Sequence, residues 1–298
     1  MHTNTKIALH VLVYDVEDFL DPFFENVADF YGKIYVAYSS RPWAYGGGGG
    51  FNHSSLEHIK ERYSDKVVII EGVWDTEEDQ RNACVEAATR DGFKFLVVQD
   101  ADEFYNEDCI LDMHHQMLEN DSFDLYKTKM LTFWRNKRLV LAKRKKPVIN
   151  NVLYTINLAR EVRFVDKRAT SGASEFRLDT LCYHLSYVMS NAGILRKICT
   201  WAHANDFNRD FWYKNKWETW YPNKRYLHPI NPIMWEEALN YQGPLPLALE
   251  KFKNPTFETF SPSIIRRAYD QMVEVKDVVS SVLARMKRSI GKRLCVKK

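Results

Sequence analysis

Up to Asp121 the chain alternates two textures. Apolar runs at IALHVLVY (7–14), KIYVAY (33–38), KVVII (66–70) and KFLVV (94–98) are short and rich in β-branched and aromatic residues, so they read as buried strands. Between them DVEDFLDPFFENVADFY, SSLEHIKERY and DTEEDQRNACVEAATRDG place apolar residues at helical spacing. Ser54 with Glu57 and Asp75 with Glu78 have capping-box spacing at the starts of the latter two, and Gly92 sits where a helix should stop. Strands and helices alternating over such short connections predict parallel pairing through right-handed crossovers. The expected class is α/β, a mixed and mainly parallel sheet flanked by helices.

After Asp121 the pattern changes. DLYKTKMLTFW and KRLVLA predict further strands around a basic turn, which VLYTINLA and EVRFV continue. The segment 191–260 is dense in aromatics, among them Trp201, Trp212, Trp217 and Trp235, most of them expected in the core. Beyond it Ile264, Ile265, Ala268, Met272, Val275, Val279, Val282, Met286 and Ile290 step by threes and fours, which describes one long amphipathic helix. Three parts follow: a core over 1–190, an aromatic-rich segment over 191–260 packed on it, and a helix with a basic tail over 261–298.

Composition narrows this only a little. At 298 residues and 45% hydrophobic the chain can build one large core, and a net charge of +3 is too mild to name a partner. The five cysteines have no metal-ligand spacing, and an odd, scattered set fits a reducing compartment. The N-terminus lacks a basic region leading into an uninterrupted apolar stretch, and no 18-residue apolar window occurs. The expectation is a cytoplasmic protein with, at most, a peripheral membrane contact.

The candidate chemistry starts at FLVVQDADEFY (95–105), where a buried strand runs into Asp100, Asp102 and Glu103. Like charges at such a place repel and resist desolvation, so a positive partner is required. On an extended strand end Asp100 and Asp102 share one side, with Ala101 on the other, an arrangement suited to Mg²⁺ or Mn²⁺ with positions left for phosphate oxygens. A solvated acidic turn capping the next helix is the alternative. Ligands in open α/β sheets lie beyond the carboxyl ends of the strands, where Tyr14-Asp15, Ser39-Ser40-Arg41, Glu71 and Asp100-Ala101-Asp102 fall. His184, inside the apolar run TLCYHLSYV, is either a satisfied core imidazole or a metal ligand.

Taken in order, ALHVLVYDVEDFL, WDTEEDQRNA, FLVVQDADEFY and YHLSYV resemble the elements of a GT-A (Rossmann-like) glycosyltransferase, closest to the family-two-like enzymes of bacteria and large viruses. The resemblance spans roughly residues 5 to 190. It implies a metal-dependent transfer of a sugar, inverting or retaining, from a nucleoside-diphosphate donor to a glycan or lipid-linked acceptor. It also implies that Asp100, Asp102 and His184 hold a divalent metal on the donor diphosphate, a Lewis acid for the charge developing there. Tyr14, Asp15, Ser39, Arg81, Asp100 and Ala101 would then line the donor site. By the family's order the base precedes the histidine, which makes Glu175 and Asp179 the candidates. The sequence departs from the family at Val-Tyr-Asp-Val-Glu near Asp15, and at Ser39-Ser40, where the base-contacting acid is missing. GGGGG at 46–50 reads as a loop or a flap over the donor.

Two basic runs stay outside that account. RMKRSIGKRLCVKK holds seven Lys or Arg and no acid, and would either attract anionic headgroups or form a solvated terminus on a helix docked to the core. WRNKRLVLAKRKK (134–146) raises a nucleic-acid reading, against which the low net charge and the acidic strand end both count, so no nucleic acid is expected. Another metal-dependent phosphoryl-transfer enzyme is the remaining rival.

Overall fold

The computed structural model describes residues 6–44 and 50–295, with side chains through 283 in the last helix. The first half contains strands β1 (Ile7–Val13), β2 (Ile34–Ser39), β3 (Val67–Gly72), β4 (Phe95–Val98) and β5 (Glu103–Phe104). Helices α1 (Glu17–Val27), α2 (Leu56–Tyr63), α3 (Glu77–Arg90) and α4 (Glu107–Glu119) connect and follow them. Then come β6 (Leu125–Trp134), β7 (Asn136–Lys143), β8 (Lys146–Pro147), β9 (Ile149–Asn157), β10 (Phe164–Asp166), β11 (Ala169–Thr170) and β12 (Glu175–Tyr187). Helices α5 (Asn191–Thr200) and α6 (Arg209–Trp212), strand β13 (Glu237–Asn240) and helix α7 (Ile264–Cys295) complete the chain. Among the described residues no helix is long and apolar enough to cross a membrane.

Eleven strands form one sheet in the order β13-β7-β6-β9-β4-β1-β2-β3, with β12 beside β6, β5 beside β12 and β8 beside β7, while β10 and β11 pair with each other as a separate hairpin. The pairs β3-β2, β2-β1 and β1-β4 are parallel, as is β6-β12, whereas β9 runs antiparallel to both β4 and β6. This is the mixed, Rossmann-like α/β sheet expected. Every side chain of β1 and β4 is buried because helices cover both faces, which is why those segments are continuous apolar runs rather than alternating ones. From β1 the chain goes to β2 on one side and, later, to β4 on the other. The order therefore reverses between β1 and β4, and a crevice opens beyond their carboxyl ends.

Local signals hold with small shifts. Helices α2 and α3 are capped one residue later than the capping-box spacing implied: Ser55 accepts from the His58 amide and Thr76 from the Asp79 amide. Gly92 takes φ +80 just past α3, the left-handed geometry a glycine accepts freely. Of the 46–50 glycine run, all but Gly50 lies outside the described residues. In the aromatic segment Trp212, Trp217 and Trp235 are buried; Trp134 packs edge-on against Trp212 and Trp217, and Tyr187 packs against Trp235. Nothing in this packing divides 191–260 cleanly from the core, since those rings belong to the same apolar cluster as β1 and β4.

Candidate functional site

A cleft of about 390 Å³ opens at the β1/β4 reversal. Tyr14 and Asp15 line it from the end of β1, and Asp100, Ala101 and Asp102 from the end of β4. His184 and Ser186 enter from β12, Lys197 from α5, and Arg168 with Lys167 from the turn between β10 and β11. The lining counts five Lys or Arg (Arg41, Arg81, Lys167, Arg168, Lys197) against four Asp or Glu (Asp15, Glu77, Asp100, Asp102). An acidic motif thus sits in a cleft that is not acidic overall, a balance suited to an anionic ligand.

The two aspartates have separate environments. Beyond Val98 the chain leaves the extended conformation and turns, so Asp100 and Asp102, though both line the cleft, meet different partners. Arg81 Nη2 donates to both oxygens of Asp100, at 2.9 and 3.2 Å, and Arg168 Nη1 donates to Oδ2 at 3.1 Å. Arg168 also makes a two-pronged pair with buried Glu103, at 2.6 and 3.0 Å, and donates to the Val98 and Leu153 carbonyls. Arg81 is held in turn by Glu77, one helical turn earlier on α3. Burial alone would raise the Asp100 carboxyl; the guanidiniums of Arg81 and Arg168 outweigh it and lower it to about 2. The positive partner of Asp100 and Glu103 is therefore protein.

Asp102 meets different groups. Lys197 Nζ donates to its Oδ2 at 2.9 Å and is fixed by the Ser186 hydroxyl at 2.7 Å. His184 Nε2 stands 3.5 Å from Oδ1. Burial would push this carboxyl up, but the Lys197 ammonium and His184 hold it far below the usual carboxylate range. Ser190 caps α5 through the Gly193 amide, and the helix so placed presents two neighbouring cations. Arg196 Nε donates to Asp15 at 2.7 Å while Lys197 reaches Asp102. One helix thereby ties the ends of β1 and β4 together. Asp15 itself has φ 58, a left-handed conformation held by its amide bonding Asn52 Oδ1 at 2.9 Å.

Among the described residues of the cleft, Asp102 and His184 are the pair that would receive a divalent ion. Asp102 Oδ1 and His184 Nε2, 3.5 Å apart, would hold the ion, which would supply Lewis-acid stabilisation of a bound anion. Asp100, expected as a second ligand, has both its oxygens accepting from arginines. Among the described residues no group of three or more His, Cys, Asp or Glu side chains is placed to hold a metal. The remaining coordination would have to come from phosphate oxygens and water.

Other expected residues fall differently. Ser39 is buried, and its hydroxyl donates to the Arg41 carbonyl at 2.7 Å, so Arg41 lines the cleft and Ser39 does not. Glu71 pairs with Lys60 on an exposed surface. Glu175 and Asp179 do not reach the cleft: near the start of β12 they pair with Lys127 and Lys129 of the parallel neighbour β6. Their place in the chain order is right for a base, but the strand's length carries them away from the end where His184 lies. Sequence reasoning missed Arg168 and Lys197, which sit in ordinary-looking basic stretches and meet their carboxylates only across 68 and 95 residues of chain. It also missed Trp43, whose Nε1 donates to Gln80 while Gln80 donates to the Ala37 carbonyl, pinning the indole at the wall. His203, bonded through Nδ1 to Asp206 at 2.6 Å, lines the rim beside Trp201.

No family model matches this chain, and no curated protein matches it. Among solved structures, S. aureus TarS 1-349 in complex with UDP aligns at 12% identity over 72% of this chain and 78% of that one, with a TM-score of 0.41. The longer S. aureus TarS aligns at 11% identity and TM-score 0.41, and this chain spans 43% of its length. A CMP:2-keto-3-deoxy-manno-octonic acid synthetase complexed with CTP aligns at 8% identity over 59% of this chain and 91% of that one, with a TM-score of 0.35. At such values the likeness is one of general layout and assigns no role to any residue here.

Proposed function

We propose that the protein is a glycosyltransferase that binds a nucleoside-diphosphate sugar in the β1/β4 crevice, with a divalent metal, Mn²⁺ or Mg²⁺, between Asp102 and His184. The observation that carries this reading is the pair Asp102–His184, backed by Lys197, at the floor of a cleft that also holds Arg41 and Lys167. When bound, the metal supplies Lewis-acid stabilisation of the diphosphate. Lys197 adds a fixed ammonium on the same side, already oriented by Ser186, so little reorganisation is needed as charge grows on the leaving group. Tyr14, Trp43 and Trp201 offer rings for the base or for sugar faces.

An inverting transfer needs a base at the acceptor hydroxyl. We assign that role to His203, whose Nδ1 bond to Asp206 fixes the ring and leaves Nε2 to take the proton. Acceptors on this reading are glycans or lipid-linked sugars. The test is release of nucleoside diphosphate from a panel of nucleotide sugars, with and without Mn²⁺, in the wild type and in His203→Gln. Metal-dependent turnover with one nucleotide, slowed on the order of 10²-fold or more in His203→Gln, is expected. Turnover of no nucleotide sugar, with or without metal, would defeat the proposal, and full activity in His203→Gln would defeat the base assignment.

A further inference from the structure

Helix α7 is mounted with its polar side inward. Asp270 pairs with Lys224 at 2.7 Å and accepts from Arg266 at 3.0 Å, Asp277 pairs with Lys216 at 2.6 Å, and Glu274 accepts from the Arg225 amide at 3.1 Å. These are all the acids that the helix sequence contains. With Val273 and Ser281, both buried, they mark the side turned to the protein. At 3.6 residues per turn, Ile265, Met272, Val275, Val279 and Val282 lie about 180° away from it. They are exposed: 83% for Ile265, 67% for Met272, 64% for Val275 and 51% for Val279.

A helix that packs on a soluble core turns its apolar stripe inward, and this one does the reverse. Among the described residues, eight of the sixteen exposed large hydrophobic side chains lie on α7. Such a concentration marks an interaction surface rather than the scattered exposure normal for a protein. The charges beside the stripe identify the occupant. The outer side of the helix carries no acid, and the sequence onward from Arg285 adds seven Lys or Arg without an acid. A second copy of the helix would set cation against cation. An apolar stripe that runs on into a cationic, acid-free segment is matched instead by a bilayer carrying anionic headgroups.

We infer that α7 is a membrane-surface helix, lying in the plane of an anionic bilayer with its Ile265–Val282 stripe in the acyl boundary and its acids locking it to the protein. The platform beneath it, from Phe211 to Arg225, continues directly from the Trp201–His203 rim of the cleft.

The experiment is co-sedimentation of the full chain with vesicles of phosphatidylcholine alone and of phosphatidylcholine mixed with phosphatidylglycerol. Met272→Asp and Val279→Asp are compared with Leu111→Asp, an exposed apolar position on α4, and light scattering reports the oligomeric state. The wild type and Leu111→Asp should bind the mixed vesicles, more weakly as salt rises, and the neutral ones much less. Each α7 substitution should lower the bound fraction on the order of tenfold, with melting temperature unchanged because both positions are exposed. Absence of binding to mixed vesicles, equal binding by the α7 variants, or a dimer that those substitutions disperse would each overturn the inference.

Discussion

Asp100 and Asp102 are two residues apart in the sequence and serve opposite ends. Asp100 and Glu103 are closed off by Arg81 and Arg168, with Glu77 completing a buried network that joins α3, the end of β4 and the β10–β11 turn. Asp102 faces a titratable imidazole and an ammonium at the floor of the open cleft. The first set is held by rigid, bidentate guanidiniums suited to structure; the second by groups that can give way to a ligand. A short acidic motif therefore need not act as a unit. The turn after Val98 splits it into a structural half and a chemical half.

The largest effect should come from the chemical half. Asp102→Asn is expected to lower kcat/KM on the order of 10²–10³-fold and also to lower the melting temperature, because it leaves the Lys197 ammonium without its buried carboxylate. Comparable turnover in the variant would erase the distinction. On the structural half, Arg168→Met leaves Asp100 and Glu103 without their shared partner, and should cost about 3–5 kcal/mol of stability, read as a fall in denaturant midpoint. A loss confined to turnover would place Arg168 with the catalytic groups instead.

The folded-state carboxyl of Asp100 is lowered to about 2, so its contribution to stability is fully present above the unfolded value of about 4 and fades as pH falls towards 2. Asp100→Asn removes that slope, and calorimetry across this range should show a flatter dependence than the wild type. The smallest effects belong to Glu175→Gln and Asp179→Asn, which should change turnover less than about twofold, since both acids pair with lysines on an exposed part of the sheet. A large loss in either would return the base to β12.

Much of the architecture was legible in the sequence, because it follows from short-range rules. The runs at 7–14, 33–38, 66–70 and 94–98 became β1 to β4, and the ligand-site expectation at their carboxyl ends follows from strand order alone. Direction and partnership were not legible. The apparent alternation of Asp100-Ala101-Asp102 assumed an extended backbone that ends at Val98. Arg168 and Lys197 carry no local pattern, and only the β10–β11 turn and helix α5 bring them home. For α7, periodicity gave the helix and its stripe, but not which side faces the protein. The acids at 270, 274 and 277 held that information, since they form a second stripe opposite the first.

The most direct test of a ligand site built on Asp102 is thermal stability against nucleoside diphosphates, each with and without Mn²⁺, in the wild type, Asp102→Asn and Asp100→Asn. A ligand that binds only the folded state stabilises it by about 2.7 kcal/mol at a hundredfold excess over its Kd. The wild type should melt higher with one nucleotide when Mn²⁺ is present, Asp102→Asn should lose that metal-dependent shift, and Asp100→Asn should start from a lower melting temperature yet keep it. No shift with any nucleotide, or a shift lost in Asp100→Asn and kept in Asp102→Asn, would contradict the account.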